Sequence, residues 1–181
     1  EFAGKAFSEA GYGLTARGIE FLEEMENLGM IIDVAHLNDA GIRDVLKFTK
    51  KPFVASHSNA RHLCSHPRNL NDELLKAIGE RGGVIGLNYY AYFLRDWKDG
   101  ETVVSRAEDI VAHAKYICDM AGIEALGLGS DFDGMNGELE IASPADMTKL
   151  EDVFKKNGFT ESEIEKIFCK NVMRIYRELL G

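Results

Sequence analysis

The sequence predicts an α/β fold in which parallel strands alternate with helices, and three observations carry the prediction. Short apolar runs, the first of them β-branched, recur at residues 30–36, 52–57, 84–88 and 126–131. The stretches between them space their apolar residues for one helical face and begin at recognisable caps. Strands separated by helices of about 10 to 15 residues indicate βαβ units and a parallel sheet. The 181 residues read as one domain, with 45% hydrophobic and 28% charged residues and no linker.

The elements follow in order. Thr15 caps a helix running to Asn27 and Leu28, with Gly29 at its C-terminal stop and Ile19, Leu22, Met25 and Leu28 on one face. The run 30–36 is brief and β-branched, as a buried strand should be. Asn38 or Asp39 starts a second helix through Phe48, and 52–57 is a second strand. Asp72 begins a third helix through Glu80, broken by Gly82 and Gly83, and 84–88 follows as the third strand. Residues 89–102 are aromatic and polar and read as a long loop. Ser105 and Glu108 have capping-box spacing for a helix to Met120, closed by Gly122. Residues 126–131 form the fourth strand and 135–142 another loop. Ser143 and Pro144 open a helix by cap and N1 proline, and Thr160 with Glu163 opens the last one towards Leu180.

Composition excludes several classes of function. The net charge of −9 and the lack of a basic stripe argue against duplex nucleic acid as a partner. No run approaches the roughly 18 apolar residues needed to span a bilayer. Cys64, Cys118 and Cys169 are far apart and form no CxxC pair, which argues against a disulfide framework or a zinc knuckle. A reducing compartment fits them, and a cytoplasmic location is favoured. Residues 1–4 include no initiator Met and no signal-peptide shape, so the chain reads as processed or as beginning inside a longer protein.

Chemistry gathers at the strand ends. Three of the four strands end in His36, His57 and Asp131, and the remaining one ends in Asn88. In a parallel barrel the C-terminal strand ends face the active site. One such histidine reads as a satisfied core residue. Two at matched positions on consecutive strands point instead to a metal site, because neutral imidazole is a common zinc ligand and a nearby carboxylate can orient it or take a proton. Arg68, in the loop after the second strand, could grip a carboxylate through two parallel hydrogen bonds; by composition alone it is a solvated loop residue. His62 and His66 lie near His57 but in a loop, where histidines are usually not ligands. His113 lies within a helix and reads as structural, and Asp133 is placed to orient its loop.

At these residues the sequence resembles the renal (membrane) dipeptidase family of zinc metallopeptidases. The resemblance rests on four segments in the family order: 27–36 ending in Val34-Ala35-His36, Pro52-Phe53-Val54-Ala55-Ser56-His57-Ser58-Asn59-Ala60, Arg68-Asn69 with Asp72, and Leu128-Gly129-Ser130-Asp131-Phe132-Asp133-Gly134. The spacing of the two histidines, 57 − 36 = 21, is also that of the family. The resemblance implies a TIM-type parallel (β/α) barrel, of which this chain supplies about the last four strands and their helices. It implies zinc ligation by His36 and His57, carboxylate binding by Arg68, substrate binding by Asn88 and an acid/base role for Asp131. In the family a metal-bound hydroxide, held by a binuclear zinc pair, hydrolyses the peptide bond of a dipeptide. The family's first-strand HxD, which binds the second metal, matches nothing in this sequence, and Phe93 stands where many relatives carry Tyr. The expected partners are therefore a dipeptide and either the N-terminal half of the barrel or another copy of the chain, and these residues alone are expected to be essentially inactive. The alternatives are a barrel metallohydrolase acting on a non-peptide amide or ester, and a non-enzymatic half-barrel module.

Overall fold

The computed structural model describes residues 2–4 and 11–181; Glu1 and residues 5–10 lie outside the description. Its helices begin where the sequence places polar caps. In α1 (Ala16–Asn27) the Thr15 hydroxyl accepts from the Gly18 amide, and in α2 (Asp39–Phe48) Asn38 accepts from Gly41 at 2.8 Å. In α3 (Asp72–Glu80) Asn71 accepts from Leu74 at 3.0 Å. Each cap satisfies an amide that the first helical turn leaves without an intrahelical partner.

Three of the expected strands form a parallel sheet: β1 (Val54–Ala55), β2 (Val84–Leu87) and β4 (Leu126–Leu128), in the order β1-β2-β4. Val54 pairs with Val84, and Ile85 with Leu126. The run around Asp33 joins the other side of β1 through a single parallel bridge, Asp33 to Val54. Its two backbone hydrogen bonds run from the Val34 amide to Val54 O (2.8 Å) and from the Val54 amide to Ile32 O (2.9 Å). Among the described residues the sheet stays open and does not close into a barrel.

The first two strands are shorter than the apolar runs suggest, for a local reason. The Asp33 side chain takes the amides of Ala35 (3.1 Å) and Ser56 (3.0 Å) on Oδ1. A short polar side chain here replaces the ladder, as Asp and Asn do when they compete with regular structure. Both chains therefore turn where the sequence reading continues them as strand.

Burial on both faces holds the sheet, as in parallel sheets generally. Phe53, Ala55, Ile85, Leu87 and Leu126 join Leu74, Leu75 and Ile78 of α3 in one core. Ile110, Val111, Ala114 and Ile117 of α4 (Ala107–Ala121) complete that side.

The region before α4 differs from expectation. Ser105 is not a helix cap: it lies in β3 (Val104–Ser105), paired in parallel with β5 (Glu138–Leu139) from the expected second loop. Glu140 instead accepts from the Ala107 amide at 2.9 Å and serves the start of α4 from a distance in sequence. The long loop after β2 contains a 3₁₀ turn, Ala91–Phe93.

The last helices fix the floor of the sheet. Ser143 and Pro144 open a 3₁₀ turn (Pro144–Asp146) that leads into α5 (Met147–Lys156). The capping box of Thr160 and Glu163 is present and opens α6 (Glu161–Glu165). A π-helical turn (Lys166–Lys170) then precedes α7 (Asn171–Leu180), where the sequence pattern reads one regular helix. This turn seats buried Asn171 so that its Nδ2 donates to the carbonyls of Ile123 and Leu126, each at 2.7 Å. Arg174 donates to Gly82 O (2.7 Å) and Glu124 O (3.0 Å). α7 thus crosses beneath the amino-terminal ends of β2 and β4. Val172 and Ile175 of α7, with Val54, Val84 and Leu128 of the sheet, line an apolar cavity of about 220 Å³. No helix among the described residues is long and apolar enough to cross a membrane.

Candidate functional site

The carboxyl ends of the strands lie at the opposite end of the sheet from α7, and the sequence-selected residues meet there. His36 and His57 face each other with Nε2 to Nε2 at 2.9 Å and ring centroids 4.8 Å apart. Both rings are held by the turns that end their strands. His57 Nδ1 is 2.7 Å from Ser56 Oγ, and Ser56 Oγ is 2.5 Å from Asp33 Oδ2. The Ser56 carbonyl lies so close to Gly86 and Gly129 that a side chain at either would collide with it.

Burial lowers the pKa of both imidazoles below the ordinary value, and the Arg68 cation pushes each the same way, while Asp131 and Asp33 oppose. The outcome is a pair of neutral rings at neutral pH, the form that ligates a metal. Two imidazole nitrogens this close can serve as two ligands of one tetrahedral zinc once the proton between them is lost. Among the described residues no cluster of three or more His, Cys, Asp and Glu side chains forms.

Asp131 lies three residues beyond the end of β4 with φ +64°, in the left-handed region. Asp tolerates this better than most residues but not without strain. A side chain at Gly134 would run into Asp131 Oδ1, so the glycine keeps that oxygen accessible. Asn88 donates from Nδ2 to Asp131 Oδ2 at 3.3 Å and accepts from the Tyr90 amide at 2.7 Å. Asn88 is itself fully buried, which places it behind Asp131 rather than on the surface a substrate would touch. The reason is Asn59, a residue the sequence reading does not single out. Its side chain accepts from the Asn88 amide (3.1 Å) and donates to Asn88 O (2.9 Å), drawing the end of β2 into the core. The only signal for it in the sequence is an amide side chain two positions after a strand-end histidine.

Arg68 is 4% exposed and stands in the site, not in solvent. Its Nη2 donates to His57 O at 3.3 Å, and its guanidinium lies 5.6 Å from the centroid of the Phe93 ring. Among the described residues it forms no salt bridge. Burial lowers its pKa, against the pull of Asp131 and Asp33, but a guanidinium remains a cation. A buried cation without an ion-pair partner is costly, and an incoming carboxylate would offset that cost.

The remaining histidines are structural in their contacts. His62 stacks on Tyr116 at 4.7 Å, and His66 Nδ1 accepts from the Arg68 amide at 3.2 Å. His113 is fully buried; its Nδ1 accepts from the Ala60 amide (3.1 Å), so its Nε2–H donates to Leu94 O (2.8 Å). It ties α4 to the loops that carry Arg68 and Phe93. Burial lowers its pKa from 6.5 to about 4. Between those values the unfolded chain binds the proton and the folded chain does not, so stability falls as pH drops. The full contribution is present above pH 6.5 and declines by about 3 kcal/mol towards pH 4. Urea unfolding across this range should show that slope in the parent protein and lose most of it in His113→Gln; equal slopes would remove His113 as its source.

Comparison with known proteins gives the chain a family. A family model described as membrane dipeptidase (peptidase family M19) matches residues 2–180. An uncharacterized protein in the pqqA 5′ region of Klebsiella pneumoniae is 35% identical over 94% of this chain and 63% of its own length. The chain is similar to the crystal structure of dipeptidase AC, a family M19 metallopeptidase, with TM-score 0.89 and 31% identity over 100% of this chain and 53% of that one. It is similar also to a metallopeptidase from Rhodobacter sphaeroides liganded with a phosphinate mimic of the dipeptide L-Ala-D-Ala. There the TM-score is 0.85 with 32% identity, over 99% of this chain and 50% of that one. The chain therefore spans only part of the length of each of these proteins.

Proposed function

The chain belongs to the membrane dipeptidase family, peptidase family M19, and from that membership we propose that it carries part of the active site of a zinc-dependent dipeptidase. The observation that supports this most directly is the convergence of His36 and His57, Nε2 to Nε2 at 2.9 Å, beside a buried Arg68 that has no ion-pair partner among the described residues. His36 and His57 would hold zinc. When bound, zinc supplies an acidified water and polarises the scissile carbonyl. Arg68 binds the C-terminal carboxylate of the dipeptide through its planar fork. Asp131 accepts a proton on Oδ1, the oxygen Asn88 does not engage, as the peptide carbonyl is attacked, and returns it to the leaving amine. Asn88 serves substrate through the carboxylate it orients. The ligand bound to the Rhodobacter relative supports dipeptides, including those with a D-residue in the second position, as the substrate class.

Further ligands and the rest of the wall would come from outside these residues, from the other half of a barrel or from a second copy. The Asp33 segment and β4, each paired in the parallel sheet on one side only among the described residues, are the edges such a partner would extend.

The test uses the protein in its complete natural form, stripped of metal and titrated with Zn²⁺ while the histidine ring resonances are followed. His36 and His57 should respond together to the same equivalent of zinc, and the loaded protein should split dipeptides into free amino acids. Independent responses of the two rings would dismiss the shared metal; binding without dipeptide hydrolysis would dismiss the substrate.

A further inference from the structure

Asp33 and Ser56, beside the histidine pair, form with His57 a chain of hydrogen bonds with one consistent arrangement of protons once Asp33 is a carboxylate. Asp33 accepts two backbone amides on Oδ1, those of Ala35 and Ser56. Its Oδ2 lies 2.5 Å from Ser56 Oγ. As a carboxylate Asp33 has only lone pairs to offer, so the single hydroxyl proton of Ser56 points to Asp33. Ser56 Oγ is then left with lone pairs towards His57 Nδ1, 2.7 Å away, and that nitrogen must carry the ring proton. In a neutral imidazole the other nitrogen, Nε2, is then bare, and in the metal-free protein it accepts at 2.9 Å from His36 Nε2–H, whose proton leaves when a metal takes its place.

We propose that Asp33 and Ser56 are positioning residues that lock His57 in the Nδ1–H tautomer and aim its Nε2 lone pair at the metal position shared with His36. The proposal rests on the reading of His36 and His57 as metal ligands and adds a part that reading lacks: what decides which ring nitrogen is free to bind. Fixing the tautomer through the second ring nitrogen is a general device of histidine metal sites, and removing the partner typically lowers metal affinity about 10- to 100-fold. Asp33 is itself largely occupied: three of its roughly four lone-pair positions accept two amides and one hydroxyl. The placement also gives a role to the short strands, since the bonds from Asp33 to Ala35 and Ser56 both interrupt the ladder and clamp the two turns that carry His36 and His57. The Ser56 carbonyl packs closely against Gly86 and Gly129, positions where any side chain would collide with it.

Two variants separate this role from a merely structural one. Ser56→Ala removes the relay. Asp33→Asn reverses it: Oδ1 must still accept the two amides, so the new Nδ2–H₂ faces Ser56 and donates to it. The Ser56 proton is then pushed towards His57, which must shift its own proton to Nε2. The experiment records the ring ¹⁵N shifts of His57 in the metal-free, complete protein and measures Zn²⁺ affinity by competition with a chelator. The parent protein should show the Nδ1–H tautomer. Asp33→Asn should show Nε2–H, Ser56→Ala should lose the Nδ1–H preference, and each should bind Zn²⁺ about 10- to 100-fold more weakly. Ser56→Thr keeps the hydroxyl and should restore both readouts. An unchanged Nδ1–H tautomer in both folded variants overturns the relay even where zinc still binds. Normal tautomer shifts in a parent protein whose His57 never responds to zinc would overturn the metal reading instead. If Asp33→Asn fails to fold, Ser56→Ala and Ser56→Thr decide by the same two readouts.

Discussion

Asp131→Asn is expected to lower kcat for dipeptide hydrolysis by about 10²- to 10⁴-fold with little change in KM, the range for losing a positioned acid/base. The substitution is close to isosteric, and asparagine is among the few residue types that accept a φ of +64° without a further penalty. The carboxamide oxygen of the new side chain can still accept from Asn88 Nδ2, so it should stay in place with its fold support intact. What disappears is the ability to take up a proton and return it. Steady-state kinetics on a dipeptide, paired with an unfolding curve that matches the parent's, checks this. A kcat within tenfold of the parent would take Asp131 out of the proton transfer. Asp131→Ala is a poorer probe, because it mixes loss of chemistry with backbone strain at a left-handed position.

Arg68→Lys is expected to raise KM for dipeptides by roughly 10- to 100-fold while kcat stays within a few-fold, corresponding to the loss of one charged hydrogen bond. Lysine keeps the charge but presents a point donor in place of a planar fork, and it cannot lie against Phe93 as the guanidinium does. Anchoring is shared by the ground and transition states, so the loss should fall on binding. The sharper measurement compares a dipeptide with its C-terminal amide. The parent should strongly prefer the free acid, and the variant should lose most of that preference. A KM unchanged for the free acid would place Arg68 outside the substrate site.

Much of this architecture was legible because its signals are local. Thr15, Asn38 and Thr160 cap helices where polar residues precede helical spacing, and the apolar runs around Val54, Val84 and Leu126 became neighbouring parallel strands. The candidate residues His36, His57 and Asp131 stood out because each ends an apolar run. What could not be read depends on residues far apart in sequence. Glu140 replaces Ser105 at the start of α4 across more than thirty residues, and β3 finds its partner in a stretch with no strand pattern. Asn88 carries the same residue type whether it meets substrate or supports Asp131, and only the bonds to Asn59 distinguish the two. The π turn before α7 follows from the demands of Asn171 on the carbonyls below β4, which periodicity does not record.

The strand order has a consequence for how the sheet assembles in time. Within the three-stranded sheet and its Asp33 bridge, each segment lies beside the previous member of that sheet, with register partners 54 − 33 = 21, 84 − 54 = 30 and 126 − 85 = 41 residues apart. Loop-closure entropy grows only as the logarithm of length, so the widest of these closures costs just about 0.6 kcal/mol more than the narrowest. No single pairing is a kinetic bottleneck, and the sheet can grow by successive addition without waiting for a distant segment. Such nearest-neighbour pairing favours folding of the three strands as one cooperative unit. In pulse-labelled hydrogen exchange the amides of β1, β2 and β4 should therefore gain protection together, ahead of the loops that carry Arg68 and Asp131.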